Sequence, residues 1–174
     1  MRKIVVVPLM LFSALTLLSQ QREENHLENK GYLRALKYIV NSNKQKNILV
    51  SDTLVPLHFA TFSKDLDTFY INQKHPKFYD LLDSVDQAKD TSERFCPVLK
   101  NKQSKHKGKT EIIYFSPVYD HMLIGEILER QYFKKWYGLN HHAQAGFNQS
   151  MQYLFIFDKK YNIQKIFKAT IAYD

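Results

Sequence analysis

The residues best suited to chemistry in this sequence are its histidines, two of which are adjacent. Imidazole is a common metal ligand and titrates near neutral pH, so the pair His141 and His142 is the first candidate site. Neighbouring residues of a strand point to opposite faces, however, and zinc takes three or four ligands. His58 or His121 would have to supply a third ligand, but no HExxH or CxxC spacing supports one. We therefore predict exposed loop histidines, no metal site and no other cofactor.

A carboxylate lies beside an imidazole at Asp120 and His121. General acid–base catalysis requires two such groups to converge on a substrate, which neighbours in a strand do not do. No glycine-framed serine or cysteine marks a nucleophile: Ser116 precedes Pro117 and is interpreted as a turn residue, and Cys96 has no evident histidine partner. We assign no catalytic residue, and the sequence favours a protein that is not an enzyme.

An aromatic and basic segment before Gly138 is the best candidate for a ligand site. It consists of Tyr132, Phe133, Lys134, Lys135, Trp136 and Tyr137. Aromatic side chains in loops often form binding surfaces for sugars, peptides or cationic groups, although they can also cover the edge of a core. We predict that Trp136 and Tyr137 anchor a ligand, with Tyr132 and Lys135 beside them.

A lysine-rich stretch precedes the C-terminal third. Its members are Lys100, Lys102, Lys105, Lys107 and Lys109. Proteins that bind nucleic acid usually interleave aromatic residues with basic ones, and this stretch contains none, so we predict no nucleic-acid partner. The stretch is interpreted as a solvated loop. Contact with anionic envelope surfaces is the alternative, and the formal net charge of +8 is compatible with weak attraction to them.

The N-terminus has the order of a secretory signal peptide. Basic Arg2 and Lys3 precede an apolar run from Ile4 to Leu18, and the chain becomes polar after Ser19. The run is short for a transmembrane helix, and no cysteine at its end could accept a lipid. We predict cleavage after Ser19, so that residues 1–19 are the signal peptide and 20–174 form one domain. That domain would be secreted or periplasmic and would have no membrane segment. An uncleaved anchor is the alternative.

The composition indicates that this domain is held together by an aromatic core. The sequence has 12 Phe and 11 Tyr but only 5 Gly and 5 Pro, which is typical of a packed globular domain. Its single cysteine cannot form an internal disulfide. We interpret Cys96 as a half-buried small apolar residue, with an intermolecular disulfide or a reactive thiol as the alternative.

Helical periodicity is clearest between Asn29 and Ser42. The apolar positions Tyr32, Leu33, Leu36, Ile39 and Val40 form one stripe on a helix of 3.6 residues per turn. A shorter helix is expected after Ser63, which is a suitable N-cap, and another from Pro76.

Strand patterns dominate the C-terminal third. Strands are predicted at 111–116, 118–132, 151–157 and 163–173, although 122–128 could also be helical, and one or two short strands are expected within 47–62. Residues 86–110 and 134–149 are predicted to be loops, and Asp158–Asn162 a hairpin turn. Sequential strands with short connections favour an antiparallel meander. We predict an α+β fold, with the N-terminal helix packed on a meander of about four to five strands.

Two sequence motifs carry a resemblance to known proteins. The motifs IIYFSPVYD and QYLFIFDKKYNIQKIF, within a similarity over roughly 30–174, resemble small uncharacterised secreted proteins of Gram-negative bacteria. This resemblance implies export but brings no activity and no functional residues. The predicted arrangement also looks loosely like cystatin-type and nuclear-transport-factor-type folds, which host many unrelated functions.

Together these patterns predict a binding or accessory protein of the cell envelope or exterior. Its partner would be a protein, a peptide or a glycan. The alternative is a small histidine-dependent or metal-dependent hydrolase of the envelope that uses His121, His141 or His142.

Overall fold

One long helix lies against a mostly antiparallel sheet. The computed structural model describes residues 7–43, 47–71, 94–104, 110–130, 140–146 and 148–173. The helices are α1 (Val7–Ser42), α2 (Ser63–Ile71) and the short α3 (His141–Ala145). The strands are β1 (Asn47–Leu54), β2 (Arg94–Phe95), β3 (Gln103–Ser104), β4 (Thr110–Phe115), β5 (Met122–Glu129), β6 (Gln149–Phe157) and β7 (Ile163–Ala172). The predicted α+β fold is confirmed.

The sheet is a meander extended by one parallel strand. Its order in the described part of the chain is β2-β1-β4-β5-β6-β7, and β3 also pairs with β1. Strands β4 to β7 are antiparallel to their neighbours, as predicted. The parallel pairing of β1 with β4 was not predicted. It requires a long crossover connection, which residues 55–109 supply.

The central strands are buried on both faces. Every residue of β4 is buried, and in β5 only the last residue, Glu129, is exposed. Strands covered on both sides have nearly continuous apolar sequences, which explains why 122–128 could also be interpreted as a helix. One face of the sheet packs against α1, and the other packs against α2, α3 and the segment 55–62.

Helix α1 approaches the sheet closely at Gly125 of β5. A Cβ atom there would lie 2.8 Å from Cδ1 of Ile39 and 2.9 Å from the ring of Phe115. The missing side chain therefore lets the apolar stripe of α1 settle onto the strand. No helix in the described part of the chain combines the length and the apolarity that crossing a bilayer requires.

Two loop predictions are corrected. Residues 94–104, predicted to be an exposed loop, include β2, β3 and a 3₁₀ helix, Pro97–Leu99, because this stretch pairs with β1. Leu99 is fully buried there. Within the predicted loop 134–149, α3 forms because the side chain of Asn140 caps its first turn by accepting a hydrogen bond from the amide of Ala143 at 3.1 Å.

The remaining segment predictions have mixed outcomes. Lys100 and Lys102 are exposed, whereas Lys105, Lys107 and Lys109 lie outside the described residues. The helix expected from Pro76 also lies outside them. The short helix expected after Ser63 is present, but Ser63 is its first helical residue, directly after the 3₁₀ helix Phe59–Phe62, and is not the predicted N-cap.

Candidate functional site

The candidate site is built around a buried carboxylate, Glu126, in the middle of β5. Its side chain points to the face opposite α1, on the same side as Ile124 and Leu128, because side chains alternate along a strand. Glu126 has no exposed surface. A charged group so placed is costly unless hydrogen-bonding partners surround it.

Four side chains supply those partners. The Ser150 hydroxyl donates to Glu126 Oε1 at 2.5 Å, and the Tyr173 hydroxyl donates to the same oxygen at 2.5 Å. The amide Nε2 of Gln152 also donates to Oε1, at 3.0 Å. His141 Nε2 lies 2.5 Å from the other oxygen, Oε2. We call these five residues the Glu126 network.

Strand register explains how the network assembles. Gln152 of β6 is directly opposite Glu126, and Ser150 is two residues earlier on the same face. Tyr173 directly follows β7, the neighbour of β6. His141 is the first residue of α3, whose capped first turn holds the ring edge-on to Tyr114, 4.9 Å away between ring centroids.

The electrostatics of the network favour an ionised glutamate. Burial alone raises the pKa of Glu126, but the hydrogen bonds from His141, Ser150 and Tyr173 outweigh it and hold the pKa below its ordinary value. Burial, together with the hydrogen bond to Glu126, raises the pKa of Tyr173. Tyr173 therefore stays a neutral donor, and Glu126 stays an acceptor.

The connectivity of the network differs from that of a hydrolytic relay. In such a relay the histidine lies between the serine and the carboxylate and takes the proton of the serine. Here Ser150 and His141 both bond directly to Glu126, so the serine proton is directed to the carboxylate. The geometry holds a charge and orients donors; it does not activate Ser150 as a nucleophile.

A cavity of about 400 Å³ adjoins the network. Its lining residues are Val55, Pro56, Leu57, His58, Thr61, His141, His142, Ala145, Gly146, Gln152, Ile171 and Tyr173. Three network members thus form part of its wall, and the rest of the wall is largely apolar. None of these described lining residues is Lys, Arg, Asp or Glu.

Two buried polar atoms of cavity-lining residues have no hydrogen-bond partner among the described residues. They are Oε1 of Gln152 and Nδ1 of His141. Gln152 is only 3% exposed, and the His141 side chain only 9%. Buried polar groups are almost always paired, so each of these atoms requires an explanation.

The histidine predictions are corrected in part. His141 is not an exposed loop residue: it lies in α3 and contacts Glu126, because the turn of α3 directs its ring into the sheet. His142, the next residue, is exposed as predicted. The described part of the chain contains no group of three or more His, Cys, Asp or Glu residues able to hold a metal ion.

The other candidates lie apart from the network. Asp120 and His121 are in the turn before β5, with φ angles of 43° and 61°, and not in a strand. The ring of His121 packs against the ring of Tyr161, with the two ring centroids 5.1 Å apart. Cys96 is only 4% exposed and more deeply buried than predicted, and burial raises its pKa to about 11, so the thiol is not activated. Ser116, interpreted as a turn residue, directly follows β4 and is fully buried, and its hydroxyl oxygen accepts a hydrogen bond from the amide of Ile124 at 3.0 Å.

The predicted ligand site before Gly138 has a simple outcome. Tyr132, Lys135, Trp136 and Tyr137 lie outside the described residues. Sequence reasoning also missed Glu126. The available signal was a charged residue inside the apolar run MLIGEIL, where burial requires compensating partners.

Comparisons with known proteins identify no relative. No protein-family model matches the chain. No curated protein and no solved structure is significantly similar to it. Function must therefore be argued from the site itself.

Proposed function

We propose that the chain is an exported protein that binds a small molecule in the cavity beside Glu126. The observation that carries the proposal is a largely apolar cavity with an organised polar wall: His141, Gln152 and Tyr173 line it, and each is hydrogen-bonded to the same carboxylate. Ligand pockets typically enclose about 300–1,000 Å³ and combine apolar walls with a few convergent polar groups. The cavity volume of about 400 Å³ falls in that range.

Preorganisation supports binding. Glu126 fixes the orientation of the three polar side chains before any ligand arrives. A ligand then loses less affinity to the ordering of side chains than it would at a mobile surface. The buried charge of Glu126 would thus serve to orient polar side chains for a ligand.

Binding explains the site better than hydrolysis does. A hydrolase of the serine type would need an activated nucleophile facing the cavity, whereas Ser150 is only 4% exposed and its hydroxyl donates to Glu126. Trp136 and Tyr137 stay predicted ligand contacts, on the segment that leads into α3. A small-molecule ligand replaces the protein, peptide or glycan partner that the sequence led us to expect.

Export remains part of the proposal, with cleavage after Ser19. Among the helix residues whose side chains are described, Leu27 is the first that packs against the core under α1. Removal of residues 1–19 would therefore leave these contacts of the helix with the sheet in place. Intact-mass measurement of the exported protein tests this step, and a mass that retains Met1 to Ser19 would contradict it.

Ligand-observed NMR with a library of small organic fragments tests the binding site. Thr61 is exposed at the cavity wall, so Thr61→Phe should obstruct the cavity without disturbing the core. Thr68→Phe, on the exposed face of α2 and outside the cavity, is the matched control. We expect fragments that bind wild-type protein and the control to lose binding to Thr61→Phe. Equal binding to all three proteins, or no fragment bound at millimolar concentration, would overturn the proposal.

A further inference from the structure

We infer that the ligand of this cavity presents an N–H donor, from an amide or an amine, to Gln152 and His141. The inference rests on the proposed small-molecule function and adds the chemical class of the ligand. It follows from two buried atoms that lack a partner among the described residues, and from the charge behind them.

The first atom is a fixed acceptor. Nε2 of Gln152 donates to Glu126 Oε1 at 3.0 Å. The reversed amide would place its carbonyl oxygen against a carboxylate, with two acceptors facing each other, so the orientation is determined by chemistry. Oε1 of Gln152 is therefore the free end of the amide, and only a donor can satisfy it.

The second atom belongs to a different element of the fold. An ionised carboxylate only accepts hydrogen bonds, so Nε2 of His141 carries the proton that faces Glu126. In the neutral ring, Nδ1 is then an acceptor as well. Strand β6 and helix α3 thus each contribute one unsatisfied acceptor to residues that line the same cavity.

The charge distribution selects against the opposite ligand class. Glu126 places a negative charge behind this wall, and the described lining residues include no lysine or arginine to offset it. A carboxylate ligand would face two acceptors and a buried like charge, which is unfavourable. An N–H donor complements all three groups.

Access to the two atoms requires a small movement. Each has less than 1 Å² of exposed surface, so a ligand reaches them only if the cavity wall shifts slightly. Helix α3 carries His141 and spans only five residues, which makes it the element to follow. Its backbone amide signals should change when the ligand binds.

NMR titration at pH 8 tests the inference. The probes are pairs of equal shape: benzamide with benzoate, and hexanamide with hexanoate. We expect each amide to shift the Gln152 side-chain signal and the α3 amides, and to bind about tenfold more tightly than its carboxylate, the factor that one hydrogen bond contributes. Carboxylates that bind as tightly as the amides, or more tightly, would overturn the inference.

A variant pair gives a second readout. Gln152→Met keeps the length of the side chain but removes one of the two acceptors, so the preference for amide over carboxylate should become smaller, while His141 and the charge of Glu126 retain part of it. Gln164→Met, at an exposed position of β7, should keep it. If Gln152→Met retains the full preference for amides, the inference is wrong. If this variant does not fold, the comparison of amides with carboxylates on wild-type protein decides the inference.

Failure of the inference can be distinguished from failure of the proposed function. If fragments bind in the cavity, as judged by their loss in Thr61→Phe, but amides are not preferred, only the ligand class is wrong. If no fragment of any class depends on Thr61, the proposed function fails and the inference fails with it.

Discussion

The two faces of the sheet are built from the same strands but bury different kinds of side chain. On the face covered by α1, β6 presents Tyr153, Phe155 and Phe157, which stack on one another with centroid separations of 6.3 Å. On the other face, one residue out of phase, β6 presents Ser150 and Gln152 to a buried carboxylate. Because strand side chains alternate, one face can be packed for stability while the other holds a charge and a cavity.

The aromatic packing and the proposed binding site lie on opposite faces of the sheet. The helix-covered face is dominated by aromatic and aliphatic contacts, such as Tyr38 edge-on to Phe155 at 5.8 Å. Burial of apolar surface is the dominant favourable contribution to folding. The opposite face interrupts such packing with Glu126, which is a net cost unless its partners stay in place.

The largest effect is expected on the helix-covered face. Phe155 is fully buried there, and Phe155→Ala removes its apolar contacts and leaves a cavity, which should lower the free energy of unfolding by about 3–5 kcal/mol. Phe95, at 60% exposed, provides the control, and Phe95→Ala should change it by less than about 0.5 kcal/mol. Urea denaturation measures both. Similar losses in the two variants would show that this aromatic stack is not the main stabilising core.

A smaller loss is expected on the network face. Glu126→Gln keeps the side-chain volume but turns an –NH₂ group toward donors, so the free energy of unfolding should fall by about 1–3 kcal/mol. Glu129→Gln, at the exposed end of the same strand, should change it by less than about 0.5 kcal/mol. If the two variants unfold at the same urea concentration, the network does not stabilise the fold.

The meander of the fold was predictable from the sequence because its signals are local. The spacing of apolar residues within each segment predicted strands β4 to β7 and residues 29–42 of α1, although it left 122–128 open to a helical interpretation. The hairpin turn Asp158–Asn162 follows from side-chain chemistry, since Asp158 Oδ1 accepts the amides of Lys160 and Asn162 at 2.8 Å each. Strands that are consecutive in the sequence are also neighbours in this part of the sheet, so local apolar patterns were enough to suggest the meander.

The site was not predictable because its contacts are distant in sequence. His141 meets Glu126 from 15 residues away, and Tyr173 meets it from 47. Neither contact produces a periodic pattern: the contact of Tyr173 depends on the register of strands that pair through the backbone, and the contact of His141 depends on how α3 packs against the sheet. The parallel pairing of β1 with β4 was missed for the same reason, since it joins segments on either side of a long crossover.

Acid should destabilise wild-type protein more than the variant Glu126→Gln. The pKa of Glu126 is lower in the folded protein than its ordinary value, so its stabilising contribution is complete above about pH 4.3 and is lost as the pH falls through the folded value. Asp158 also has a lowered pKa, because Asn162 donates to it from its side chain and its backbone. Its contribution is the same in wild type and in Glu126→Gln, so it does not affect the difference between them. Urea midpoints between pH 7 and pH 3 should therefore fall more steeply for wild type than for Glu126→Gln. If the urea midpoints of the two proteins fell equally with pH, Glu126 would not be the ionised, stabilising group that we infer.

The smallest predicted difference compares one tyrosine hydroxyl group on each face. Tyr173→Phe removes a donor from Glu126 but keeps the ring, and Ser150 and Gln152 still occupy Oε1. We expect a loss of about 0.5–1.5 kcal/mol. Tyr38→Phe keeps the ring that packs on Phe155 and should change the free energy of unfolding by less than about 0.5 kcal/mol. If Tyr38→Phe cost as much as Tyr173→Phe in urea denaturation, hydroxyl groups would matter equally on both faces. In that case, hydrogen bonding by side chains would not distinguish the network face from the helix-covered face.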